Sequence, residues 1–132
     1  MIFIDTGALL AKYLNSDQYH KKASTKWRQI EKSKQKCITS NFVLDETFTL
    51  LGRRADYKFA AEKANIIYSS KVVEVVRPEY NDELAAIEIF QKFSDQKISY
   101  TDCISFVLMK RTKTKRVFSF DRHFVLAGFK LY

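Results

Sequence analysis

The chain predicts an α/β domain built on a parallel sheet. Short apolar, β-branched runs alternate with longer helical stretches from one end to the other. The alternation brings each strand back in the same direction, with helices covering both faces. With only 3 Gly and 1 Pro in 132 residues, the loops are expected to be short and the elements regular.

The apolar run Met1-Ile2-Phe3-Ile4 reads as a short buried strand that closes on Asp5. Helical patterns follow over Ala8–Leu14 and over a polar stretch from Tyr19 to Lys34. Cys37-Ile38-Thr39 reads as a second strand, and Ser40-Asn41 supplies good cap residues for a helix over Phe42–Arg53. Another helix is expected over Tyr57–Ser69. Val72-Val73-Glu74-Val75-Val76 is β-branched and must stop before Pro78. Glu79–Phe93 and Thr101–Thr112 are helical in pattern. After them come the strand Val117-Phe118-Ser119-Phe120, closing on Asp121, a helical turn, Gly128 and a last strand over Phe129–Leu131.

A length of 132 residues suits one domain with its own core, and 46% hydrophobic residues exclude a disordered chain. No charged leader with a long apolar stretch opens the chain, and no run approaches the ~20 apolar residues that span a bilayer. Cys37 and Cys103 fit neither a metal-binding spacing nor a disulfide framework. A reduced, cytoplasmic protein is expected.

Lys and Arg number 23 against 15 Asp and Glu, a formal charge of +8. Such an excess suits a polyanionic partner, and equally it suits solvated helix faces. Basic residues are dense from Lys21 to Lys36 and over Lys110-Arg111-Lys113-Lys115-Arg116.

Four acids stand apart from the other surface charges: Asp5, Glu46, Asp102 and Asp121. Asp5 and Asp121 follow apolar strands, where open α/β sheets place their ligands. Glu46 falls between Phe42 and Leu50 on one helix face, whereas Asp45 turns toward the polar edge beside Thr49. A carboxylate on an apolar stripe needs a cation, either a metal or an Arg or Lys partner. Asp102 lies just inside a helix start, where an acid also serves the helix dipole and a capping box with Ser99. Asp5 has a capping alternative of its own, before Thr6-Gly7. Carboxylates crowded at one sheet edge repel one another unless a cation joins them, so the joint pattern suggests a divalent-metal site. His20 and His123 are too few for a His-rich zinc site, and Cys103 lacks a base at readable spacing. Most aromatics sit at apolar positions. Tyr13, Tyr57 and Tyr100 are the candidates for stacking on nucleobases.

Taken together, Ile2-Phe3-Ile4-Asp5-Thr6, Glu46, Ser99-Tyr100-Thr101-Asp102-Cys103 and Phe118-Ser119-Phe120-Asp121-Arg122-His123-Phe124 resemble the PIN-domain nucleases. The similarity is nearest to the VapC-like toxin ribonucleases of toxin–antitoxin pairs, and it runs over nearly the whole chain. The resemblance implies one PIN-like domain over 1–132, a five-stranded parallel sheet in a three-layer α/β/α arrangement. It implies Mg²⁺- or Mn²⁺-dependent cleavage of RNA by the quartet Asp5, Glu46, Asp102 and Asp121. Asp5, Asp102 and Asp121 would be direct metal ligands, with Glu46 acting through water or orienting the nucleophile. Thr6 and Thr101 match hydroxyl positions that support the acids, and Gly7 stands where many members carry Ser. It also implies a small antitoxin protein as partner and a homodimer.

Two other readings fit parts of the pattern. A phosphoacceptor receiver domain is also a small α/β fold with an acidic Mg²⁺ site, but it wants adjacent acids after the first strand, where Asp5 stands alone. A non-catalytic RNA-binding module would use the positive charge and leave the acids structural.

Overall fold

The computed structural model describes residues 1–132. In chain order the elements are β1 (Ile2–Ile4), α1 (Thr6–Tyr13), α2 (His20–Ser33), β2 (Cys37–Ser40), α3 (Asn41–Arg54) and α4 (Tyr57–Tyr68). Then follow β3 (Val73–Val76), α5 (Tyr80–Lys92), a 3₁₀ turn (Ser94–Gln96), α6 (Tyr100–Arg111), β4 (Arg116–Phe118), α7 (His123–Leu126) and β5 (Lys130–Leu131). The five strands form one parallel sheet in the order β3-β2-β1-β4-β5. The α/β expectation therefore holds, and the order differs from the 2-1-3-4-5 order of receiver domains.

The chain steps from β1 outward to β2 and β3, then returns past β1 to β4 and β5. Right-handed crossovers in opposite directions put α1–α4 on one face and α5–α7 on the other. The packing agrees: α1 touches α2 and α3, α3 touches α4, and α6 touches α5 and α7. β1 sits at the centre, with Ile2, Phe3 and Ile4 wholly buried. Beside a smaller cluster of Leu10, Leu14, Leu51 and Ala60, a main core of 24 buried residues spans both faces. It draws on Ala8 and Leu9 of α1, Trp27 and Ile30 of α2, and Phe106 and Leu108 of α6.

Polar groups inside this core are tied to backbone. The Trp27 indole N–H donates to the Ala8 carbonyl at 3.1 Å, pinning α2 to α1. The Thr39 hydroxyl donates to the Ile4 carbonyl at 2.8 Å, joining β2 to the end of β1. Ser40 caps α3 as expected, its hydroxyl accepting from the Val43 N–H at 3.0 Å.

Most boundaries shift by one residue from the sequence reading, and two shift by two. α1 begins at Thr6, immediately after β1, so no linker separates strand from helix. β4 ends at Phe118, because the Ser119 hydroxyl accepts the Asp121 N–H at 3.0 Å and turns the chain. Asp121 thus lies in the turn between β4 and α7. Lys113 and Lys115 precede β4, Arg116 opens it, and the three cluster with Met1 at the opposite end of the strands from Asp5. Arg111 is engaged by Glu79, by Asp82 and by the Arg77 carbonyl.

Because Ser40 and Val43 are fully buried, the Val43 N–H would have no water to replace the lost cap. Ser40→Ala is expected to lower the unfolding free energy by about 1–2 kcal/mol, measured as the shift in urea midpoint at constant slope.

Candidate active site

β1 and β4 are hydrogen-bonded neighbours, but the chain leaves them toward opposite faces, α1 on one side and α7 on the other. Such a divergence opens a crevice at the carboxyl ends of the strands. Here it is a cleft of about 720 Å³. Its floor carries Asp5, Thr6, Gly7, Phe120 and Asp121 from the two turns. α3 supplies Glu46, Leu50 and Arg54, and the start of α6 supplies Ser99 and Asp102. Thus all four acids singled out in the sequence face one cleft.

Each arrives there for a local reason. Asp5 occupies the cap position of α1 yet makes no side-chain cap bond. Its carboxylate accepts instead from the Ser119 hydroxyl at 2.7 Å, across the β1–β4 seam. Asp102 lies in the first turn of α6, and Ser99 caps that helix by accepting the Asp102 N–H at 3.1 Å. The cap is one-sided, so the Asp102 carboxylate is left to the cleft. Asp121 accepts the His123 N–H at 2.9 Å, which starts α7. Glu46 is half-buried on the cleft side of α3, while the buried side of that helix carries Val43, Leu44, Thr47 and Leu51. Leu50 lines the cleft beside Glu46, whereas Phe42 packs at the edge of the core against Tyr100. Asp45 is exposed.

His123 and Ser119 join the site without having been assigned to it from sequence. Ligand atoms of Asp102, Asp121 and His123 lie within 4.8 Å of one another. The His123 Nδ1 is 3.2 Å from Asp121 Oδ1 and 3.5 Å from Asp102 Oδ2. It is nonetheless a buried nitrogen with an aligned hydrogen bond to neither, so the contact is electrostatic proximity. Thr6 also keeps a buried, unpartnered hydroxyl. Thr101 lies elsewhere, in a shallower groove with Phe42, Asp45, Glu46 and Thr49.

Electrostatics make the cleft unlike the rest of the surface. Five carboxylates line it (Asp5, Asp17, Glu46, Asp102 and Asp121), against Arg54, Lys97 and Arg122, and no Arg or Lys forms an ion pair with the quartet. Burial pushes the Asp5 carboxyl up to about 7, opposed by the Ser119 hydrogen bond and reinforced by Asp102 and Glu46. Burial also pushes Asp102 up to about 6, with Asp121 adding repulsion and His123 opposing it. Carboxyls held this high lack a positive counterpart. Asp102, Asp121 and His123 are close enough to share one ion, and acids short of a cation beside an orphaned hydroxyl fit a divalent metal.

The parallel sheet order, the switch-point cleft and the acidic cluster define the class, and comparison with known proteins agrees. The PIN domain family model matches residues 2–130, and the chain belongs to this family. It is 35% identical over 130 residues to the protein named 23S rRNA-specific endonuclease VapC20 of Mycobacterium tuberculosis, in strains CDC 1551 and H37Rv. That match covers 98% of this chain and 95% of the relative. The crystal structure of M. tuberculosis VapC20, described as a sarcin–ricin-loop-cleaving toxin, superposes with a TM-score of 0.89 at 32% identity. It covers 98% of this chain and 96% of that one. No helix is long and apolar enough to cross a membrane.

The raised carboxyls make stability depend on pH in a defined direction. Between the unfolded value of 3.8 and the folded value of about 7, Asp5 holds more protons folded than unfolded. Its contribution is complete below 3.8 and is lost as pH rises through about 7. In chelator, the melting temperature is expected to fall across this window and to fall less in Asp5→Asn. Adding Mn²⁺ should recover the loss in the wild type only. Equal pH slopes for the two proteins in chelator would remove Asp5 as the cause.

Proposed function

We propose that the chain is a divalent-metal-dependent endoribonuclease, the toxin of a toxin–antitoxin pair, with residues 1–132 acting as one nuclease domain. The observation that carries this reading is the convergence of Asp5, Glu46, Asp102 and Asp121 on one cleft whose carboxylates have no Arg or Lys partner. The likeness to an endonuclease of the same fold and length supports it.

Asp5, Asp102 and Asp121 would hold the ion, with Ser119 fixing Asp5 and His123 standing between the other two. When bound, Mg²⁺ or Mn²⁺ supplies positive charge to the scissile phosphate and lowers the pKa of an attacking water. Glu46, half-buried on the wall, orients that water in line with the departing oxygen. Arg54, Lys97 and Arg122 meet the flanking phosphates. The water oxygen bonds to phosphorus as the bond to the 3′-oxygen breaks, leaving 5′-phosphate and 3′-hydroxyl ends. The 2′-hydroxyl of RNA takes no part. Thr6 lends a hydroxyl beside the acids, and Thr101 supports α6 at one remove from the cleft.

A small antitoxin protein would hold the enzyme silent by covering the cleft, and the active form would be a homodimer. Ribosomal 23S RNA, the RNA named for the relative, is the first substrate to test.

Asp5→Asn and Asp102→Asn are each expected to slow RNA cleavage by at least about a hundredfold with the fold retained by circular dichroism. Chelation should do the same to the wild type. An oligonucleotide with a single 2′-deoxy nucleotide at the cut should still be cleaved. Wild-type rates in both Asn variants would remove the site, and a block by the 2′-deoxy substitution would replace hydrolysis with attack by the 2′-hydroxyl.

Expression of the chain alone should arrest growth, and co-expression of the adjacent small reading frame should restore it and co-purify a complex. Normal growth in both arms, with active enzyme in the lysate, would leave a nuclease that is no toxin.

A further inference from the structure

One feature of the cleft has no role in holding a metal. The rings of Tyr19 and Phe120 lie parallel, with centroids 4.3 Å apart and planes within 3°. Both line the cleft, and both are half-buried. Phe120 precedes Asp121, so their Cα atoms are about 3.8 Å apart. Behind Phe120, the wholly buried Phe118 meets it edge-on at 5.9 Å. The three rings thus form a short ladder from the core to the cleft, and Tyr19 is its outer rung. Tyr19 stacks on no ring but Phe120, and no Lys or Arg lies over it.

Local structure holds that rung in place. Tyr19 ends the loop between α1 and α2, where its N–H donates to Asp17 Oδ1 at 2.8 Å. The next residue, His20, is tied by its ring Nδ1 to the Ala11 carbonyl at 2.7 Å. Opposite, Gly7 carries no side chain; a Cβ there would touch Phe120 at 3.9 Å, so the floor beside the ladder stays open. The tyrosines favoured from sequence are occupied otherwise. Tyr13 lies under the Lys12 and Lys63 ammonium groups, and Tyr100 is flanked by Phe42 and Phe90. Tyr57 is exposed but packs over Gly52, outside the cleft.

We infer that Tyr19, backed by Phe120, is a stacking platform for one unpaired nucleobase adjoining the phosphate that is cut. A flat aromatic face next to a phosphate-binding centre is how proteins hold splayed-out bases of single strands and loops. A base stacked in a duplex has no free face to offer, so the platform selects unpaired RNA and places one nucleotide relative to Asp121. The inference rests on the nuclease reading above for the identity of the ligand.

The test uses a short single-stranded oligoribonucleotide carrying one 2-aminopurine, moved along the strand position by position. It is bound with Mg²⁺ to the full chain bearing Asp102→Asn. Fluorescence is expected to be quenched strongly at one position, and to remain so with Tyr19→Trp. Quenching should be lost with Tyr19→Leu, which keeps apolar bulk without a π face. Tyr19→Leu should weaken binding about tenfold to a hundredfold. An abasic site at that position should weaken the Tyr19 protein comparably and the Leu variant no further.

Uniform quenching along the strand, or equal losses from abasic sites in both proteins, would overturn the platform. If Tyr19→Leu fails to melt cooperatively, the Tyr19 protein still decides: an abasic scan that is flat at all positions overturns it, and a single sensitive position retained by Tyr19→Trp supports it. Failure of the nuclease reading would look different, as continued cleavage by the Asp102→Asn protein.

Discussion

Across the seam between two neighbouring parallel strands, the Ser119 hydroxyl donates to the Asp5 carboxylate while accepting the Asp121 N–H. One hydroxyl therefore sets the positions of two acids that stand far apart in the chain. It works because β1 and β4 are in register, with Ile4 opposite Phe118, so the residues just beyond each strand are brought face to face. The remaining acids are placed against this pair by helices that pack elsewhere. α3 is anchored by its cap at Ser40 and by buried Val43, Leu44 and Leu51. α6 is anchored by Cys103, Ile104 and Phe106 one turn into the core. The site is thus assembled from rigid element ends rather than from a mobile loop, which suits a centre that must hold fixed geometry.

That arrangement works against the stability of the folded chain. Asp5 is only 6% exposed, and its single hydroxyl partner does not offset the loss of water around a charge, which is why its carboxyl titrates near neutrality. A structural ion pair would have relieved the conflict with one well-placed lysine. Lys12 and Lys26 are near enough to the core to be partly desolvated themselves, yet they are turned to Glu31, Trp27 and the chain terminus. Leaving the acids without a fixed cation keeps their oxygens for a ligand that comes and goes.

Much of this was legible in the sequence, and the failures have a common cause. The alternation of elements, the Ser40 cap and the position of Asp5 after an apolar strand each depend on residues next to one another. Periodicity and capping rules read such neighbours directly. Asp102 was legible only as one of two alternatives: Ser99 caps the helix, but Asp102 does not complete a capping box, and its carboxylate faces the cleft. His123 and Ser119 were not legible as site residues, because they act through an irregular turn after β4 that the apolar run Val117–Phe120 disguised as strand. The Tyr19–Phe120 stack joins residues from opposite ends of the chain, and no local pattern encodes that contact. The second basic run lies away from the acids for a directional reason. Residues just before a parallel strand lie at the end of the sheet opposite to those just after it, so Lys113, Lys115 and Arg116 are carried away from the acids.

The partition of charge follows from the same directionality. The chain is basic overall, +8, yet the carboxyl edge of its sheet gathers acids. A polyanion is drawn toward the surface at long range, where net charge dominates, and is repelled at short range by the cleft. On the proposed reading, a divalent ion reverses the short-range sign and leaves the long-range attraction unchanged. Metal occupancy then governs entry of the phosphate as well as its cleavage. Arg54, Lys97 and Arg122 lie on the cleft lining without pairing to the quartet, which leaves them for phosphates on either side of the one being cut. An acidic centre inside a basic protein is therefore consistent with its overall charge: on the proposed reading the surface gathers the nucleic acid, and the cleft admits it only when a cation is present.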